Sequence, residues 1–76
     1  MPKKNYMPEM KPVDSAIIAA IGYNKESQDL YIRFNTGRIY KYSEVPPELY
    51  QQFEEAESQG KFFHQHIRNT YQTQEI

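Results

Sequence analysis

The run Leu30-Tyr31-Ile32-Arg33-Phe34-Asn35-Thr36-Gly37-Arg38-Ile39-Tyr40-Lys41-Tyr42 decides the fold. Side chains alternate faces along an extended chain, so Leu30, Ile32 and Phe34 line one side of a strand. Asn35-Thr36-Gly37 then turns the chain into a second strand, Arg38 to Tyr42. A two-residue loop at Thr36-Gly37 would need positive φ at β-branched Thr36, which is unfavourable. A three-residue loop instead puts Gly37 at the left-handed bulge position, where glycine is wanted. That loop pairs Phe34 with Arg38, Ile32 with Tyr40 and Leu30 with Tyr42. Tyr40 and Tyr42 therefore join Leu30 and Ile32 on the core face, leaving Tyr31, Arg33, Ile39 and Lys41 on the other. A slip of one residue would exchange the two sets.

Working outward, Ala16-Ile17-Ile18-Ala19-Ala20-Ile21-Gly22-Tyr23 reads as a preceding strand. Its isoleucines, its short length and the polar loop Asn24 to Asp29 favour strand over helix. After Ser43 the period changes. Pro46-Pro47 suits a helix start, with Glu48 at the positive end of the dipole. Leu49, Phe53 and Ala56 form an apolar stripe flanked by Tyr50. Gly60 reads as its C-terminal stop. Ser58 is placed to cap a second helix, Lys61 to about Tyr71, burying Phe63, Ile67 and Tyr71. The expectation is an α+β domain: a three-stranded antiparallel β-meander followed by two α-helices packed on one sheet face.

Seventy-six residues allow a single domain. Residues 1–12, with three Pro, three Lys and three Met, read as a flexible N-terminal arm, residues 13–71 as the domain, and residues 72–76 as a polar tail. A chain this short buries only about 60% of its unfolded surface. The hydrophobic fraction is a modest 38%, so seven Tyr and four Phe must supply much of the core. No internal repeat is visible.

Nine basic residues against ten acidic give a net charge of −1, without the basic excess of a general phosphate-backbone binder. The charges are nevertheless segregated. Arg33, Arg38 and Lys41 share a stretch without acids; Glu44, Glu48, Glu54, Glu55 and Glu57 follow in one without bases; Lys61, His64, His66 and Arg68 come next. One surface is thus able to be locally positive on a neutral protein. The absence of cysteine excludes disulfides, thiol catalysis and Cys-ligated zinc. The longest apolar run, Ala16 to Ile21, is too short for a signal peptide or a membrane span, so a cytoplasmic location is expected.

Catalysis finds little material. On a helix His64 and His66 lie about 200° apart and share no ligand. Asp14-Ser15 is ordinary turn or capping chemistry. The three glycines at 22, 37 and 60 make no phosphate loop. The expectation is a non-enzyme with no cofactor and no metal site. The outer sheet face, with Tyr31 between Arg33 and Lys41, has the equipment to stack an unpaired base and neutralise its phosphate. Cross-strand Tyr and Lys pairs also stabilise sheets without any ligand.

Several segments together resemble the KTSC domain family. These are Val13-Asp14-Ser15, Ile18, Ile21-Gly22-Tyr23, the Leu30, Ile32, Phe34, Gly37, Tyr40-Lys41-Tyr42 series, Val45-Pro46, the Ala56, Ser58, Gly60-Lys61, Phe63 series, and Ile67-Arg68 with Tyr71. The family is named for its occurrence at the C-terminus of some lysyl-tRNA synthetases and includes short stand-alone bacterial and phage proteins. The resemblance brings no catalytic residue. It implies RNA as a ligand only through the company the domain keeps. Ser58, Lys61 and Arg68 are the family-like positions with no clear packing duty. The combined expectation is a small RNA-binding module, tRNA being one candidate, in which Arg33, Arg38, Lys41, Lys61 and Arg68 contact phosphates, Tyr31 stacks on a base and Ser58 lies alongside. The alternative is a protein-interaction module using the same sheet face or a free edge strand. Either way the chain is expected to be a monomer or weak homodimer.

Overall fold

The computed structural model describes residues 7–76. Five strands form one antiparallel sheet in sequential order: β1 (Lys11–Pro12), β2 (Ile18–Asn24), β3 (Asp29–Phe34), β4 (Ile39–Tyr42) and β5 (Thr73–Glu75). Two helices, α1 (Pro47–Glu55) and α2 (Gln59–Phe62), lie between β4 and β5, and α2 runs on as a π-helical turn, Phe63–Ile67. The three-stranded meander is therefore the centre of a larger sheet. Residues of the expected arm and tail supply both edges. Met1–Tyr6 of that arm lie outside the described residues. The two edge strands escape a pattern reading because they are two and three residues long and exposed throughout. Their order comes from their neighbours, through Lys11 opposite Ile21, Pro12 opposite Ala20 and Tyr40 opposite Glu75.

The central register is the one the turn chemistry dictates. Leu30 faces Tyr42, Ile32 faces Tyr40 and Arg33 faces Ile39, while the Phe34 amide donates to the Arg38 carbonyl at 2.9 Å. Gly37 has φ of 97°, the left-handed conformation that a side chain would resist. On the helical side Ile18, Ile21, Leu30, Ile32, Val45, Phe53 and Ile67 are completely buried, and Tyr42 and Phe63 nearly so. Phe63 meets Phe34 and Tyr42 edge to face, at centroid distances of 5.3 and 5.8 Å. These contacts hold both helices on one face of the sheet.

Two helix boundaries differ from expectation. The first helix ends at Glu55, ahead of Gly60, with the Ala56 amide turned back to the Phe53 carbonyl. Gly60 instead lies inside α2, where an added Cβ would come within 3.3 Å of the Ile17 side chain. Glycine there permits close approach of α2 to the strand entry. Ser58 does cap α2, its hydroxyl accepting from the Lys61 amide at 3.2 Å. The second helix stops well before Tyr71. The Arg68 amide closes a π-turn on Phe63, and Asn69 turns left-handed with φ of 64°. Tyr71 still packs on the core, from non-helical backbone. The Ser43 amide donates to the Gln72 carbonyl at 2.9 Å, which leads the chain into β5.

Candidate nucleic-acid interface

Strand alternation places Tyr31, Arg33, Ile39 and Lys41 together on the sheet face away from the helices. Arg33 is exposed, Lys41 is half-buried, and neither has a carboxylate partner among the described residues. Tyr31 departs from the expected exposed base platform: it is 2% exposed. The cause lies in the register. Gly22 stands directly opposite Tyr31. A Cβ built on Gly22 would fall 2.9 Å from the Glu9 carbonyl oxygen, 2.9 Å from Met10 Sδ and 3.2 Å from Pro8 Cγ. The segment entering β1 thus lies against this face beside the tyrosine. Burial, followed by the nearby Asp29 carboxylate, raises the Tyr31 phenol above its ordinary pKa.

The remaining predicted residues are elsewhere. Arg38 sits at the rim and bridges to Glu75 at 3.2 Å, so it helps fasten β5. Both of those side chains are largely exposed, and such a pair contributes little stability. Lys61 and Arg68 stand exposed on the second helical segment, in the layer on the other side of the sheet. The Arg68 guanidinium approaches His64 Nδ1 at 3.2 Å, and Lys61 precedes His64 by three residues, about one helical turn. His66 instead packs on the Phe62 ring at 4.5 Å. Ser58 spends its hydroxyl on the cap. The seven candidates therefore divide into a covered sheet patch, a helical ridge and a rim ion pair.

Among the groups considered for catalysis, Ser15 has a structural role. The Ser15 hydroxyl accepts from the amides of Ile17 and Ile18, both at 3.3 Å, a local turn bond at the entry to β2. Among the described residues no three His, Asp or Glu side chains gather as metal ligands. None of the described helices is long and apolar enough to cross a membrane.

One feature was not foreseeable from the pattern. Tyr23 of β2 and Tyr50 of α1 stack in parallel, with centroids 4.7 Å apart and 11° between planes. They form the wall of a cleft of about 480 Å³ that Lys11 and Lys25 also border. The Tyr23 hydroxyl donates to the Val45 carbonyl, and the Lys11 ammonium is paired with Glu54 at 2.6 Å. The sequence places Tyr23 at the end of the first strand and Tyr50 at the flank of the first helix stripe. Nothing in the spacing joins two residues from separate elements.

A model of the KTSC domain matches residues 14–71. The chain is 34% identical to a KTSC domain protein from Yersinia pestis whose crystal structure superposes with a TM-score of 0.89, covering 93% of this chain and 99% of that one. A protein from Tsukamurella paurometabola is 47% identical over 53 residues, which span 70% of this chain and 79% of the relative. A lysine–tRNA ligase from Nostoc punctiforme is 29% identical over 69 residues, or 91% of this chain but only 12% of the ligase.

Proposed function

This chain belongs to the KTSC domain family, and from that premise we propose that it is a non-catalytic RNA-binding module for folded RNA of the tRNA class. The observation that carries the reading is that four of the five cations left without carboxylate partners among the described residues fall in two groups: Arg33 and Lys41 on the sheet, Lys61 and Arg68 on the helical ridge, with Lys25 apart from both. The likeness to a segment of a lysine–tRNA ligase supports the choice of RNA class. Lys61 and Arg68 bind phosphates from the helical ridge, with His64 lying between them in the sequence. Arg33 and Lys41 meet a separate stretch of backbone on the opposite face. Arg38 makes a lesser contribution because Glu75 already shares its charge.

Four phosphate contacts predict a log–log salt slope of roughly −3 for tRNA binding. The Lys61→Ala/Arg68→Ala double variant should lower its magnitude by about 1.5, since each contact releases its own counterion. No binding at 50 mM salt, or binding indifferent to salt, overturns the reading and leaves protein association as the alternative. That alternative has its own feature, an apolar groove of about 400 Å³ where Ile17, 36% exposed, meets Phe34 and Tyr40.

A further inference from the structure

We infer that the segment Pro8–Pro12 is a displaceable cover over a second nucleic-acid contact, a single-nucleotide stacking platform made by Tyr31 between Arg33 and Lys41. The inference rests on the RNA-binding reading and adds both a subsite and its regulation. Three observations converge on it. A large aromatic ring sits on the sheet face opposite the helices, yet is 2% exposed. The residue across from it is glycine, and the space its side chain would take is filled by Pro8, Glu9 and Met10. Both cations flanking the ring remain without carboxylate partners among the described residues, so charge for a phosphate is already in place.

The cover is also lightly held. Its strand is two residues long and exposed, and one of the two is proline, which has no amide to donate to the ladder. Its side-chain anchor, Lys11 to Glu54, lies in water with the lysine side chain 61% exposed. By contrast the Tyr31 strand is paired on both sides, to β2 and to β4. Competition for the ring therefore moves the cover, with the sheet staying intact. The competing ligand is an unpaired nucleotide: its base stacks on the ring once the segment lifts away from Gly22, and its phosphates reach Arg33 and Lys41.

The test uses a fluorescent octauridine as probe, on the full chain and on a form lacking residues 1–10. Removing the cover should tighten octauridine binding at least about fivefold, the low end of what stacking one base contributes. Tyr31→Leu should abolish that gain in the shortened form and bring the full chain down to the affinity of a form whose cover is locked. Should the shortened form unfold, a lock decides the matter. Pro12 and Ala20 face each other, and the Val13 amide bonds to the Ala19 carbonyl at 3.0 Å, so they form a non-hydrogen-bonded pair, the closer kind. Pro12→Cys/Ala20→Cys, in a chain without other cysteines, ties the cover down when oxidised and should bind octauridine at least fivefold more weakly than when reduced. Equal affinities in both experiments overturn the inference. So does a shortened form that dimerises through the uncovered face without gaining affinity. Loss of tRNA binding by the full chain is the separate failure of the RNA reading itself.

Discussion

Replacing Gly22 with alanine should strike the contact between the cover and the sheet and little else. Gly22 does not have the positive φ that Gly37 does, so alanine meets no backbone strain there. Its Cβ, however, would sit 2.9 Å from a backbone carbonyl oxygen of Glu9, which moves only if the whole segment moves. If the segment lifts, the Tyr31 ring regains water. Re-exposing ~100 Å² of apolar ring surface costs about 2.5 kcal/mol. Alanine returns about 0.5 kcal/mol by restricting the unfolded chain. The net loss of about 2 kcal/mol lowers Tm by roughly 8–16 °C in a domain of this size. Circular-dichroism melting reads the loss, and acrylamide quenching of tyrosine fluorescence reads the exposed ring. The same substitution in a chain lacking residues 1–10 should be neutral or slightly stabilising, because nothing remains to clash. An equal loss in both backgrounds would refute the assignment of the clash to the cover.

Gly60→Ala should behave oppositely: its Cβ meets the partly exposed Ile17 side chain at 3.3 Å, which can shift, while alanine gains up to about 1 kcal/mol of helix propensity, so Tm should hold or rise slightly. A fall of more than about 5 °C would show that Ile17 is immovable. Ser58→Ala removes the hydroxyl that accepts from the Lys61 amide and should cost about 1 kcal/mol in urea unfolding, with Ser58→Asp restoring most of it. The buried Tyr42 phenol, pushed up to about 12 mainly by burial, makes stability fall at alkaline pH. The unfolded chain ionises that group from about pH 10, so its contribution is intact below pH 10 and is lost as pH rises toward 12. The urea midpoint should therefore decline over that window, and Tyr42→Phe should flatten the decline; an unchanged limb would place the effect on other tyrosines.

The meander was legible because one turn fixes it: β-branched Thr36 followed by Gly37 admits a single loop length, and the register of Ile32 with Tyr40 follows. The Ser58 cap and the buried faces at Phe53, Phe63 and Ile67 were legible for the same reason, a local rule with few alternatives. What the sequence concealed was non-local. Lys11–Pro12 and Thr73–Glu75 carry no apolar alternation and become strands only because β2 and β4 offer open edges. The early end of the second helix depends on a left-handed Asn69, which no periodicity announces. Tyr31 sits on the predicted face, but its exposure depended on where a proline-rich segment comes to rest. The one hint was Gly22, a residue with no side chain in the middle of a strand, which signals close approach of another backbone.

The most direct measurement is an NMR titration of the isotope-labelled chain with mixed tRNA at low salt, repeated at 200 mM. The account predicts shifts at Lys61, His64 and Arg68 and at Arg33 and Lys41, collapsing as salt rises, with the core amides of Ile21 and Ile32 unmoved. An unchanged spectrum at low salt would contradict it, as would salt-insensitive shifts confined to Ile17, Phe34 and Tyr40.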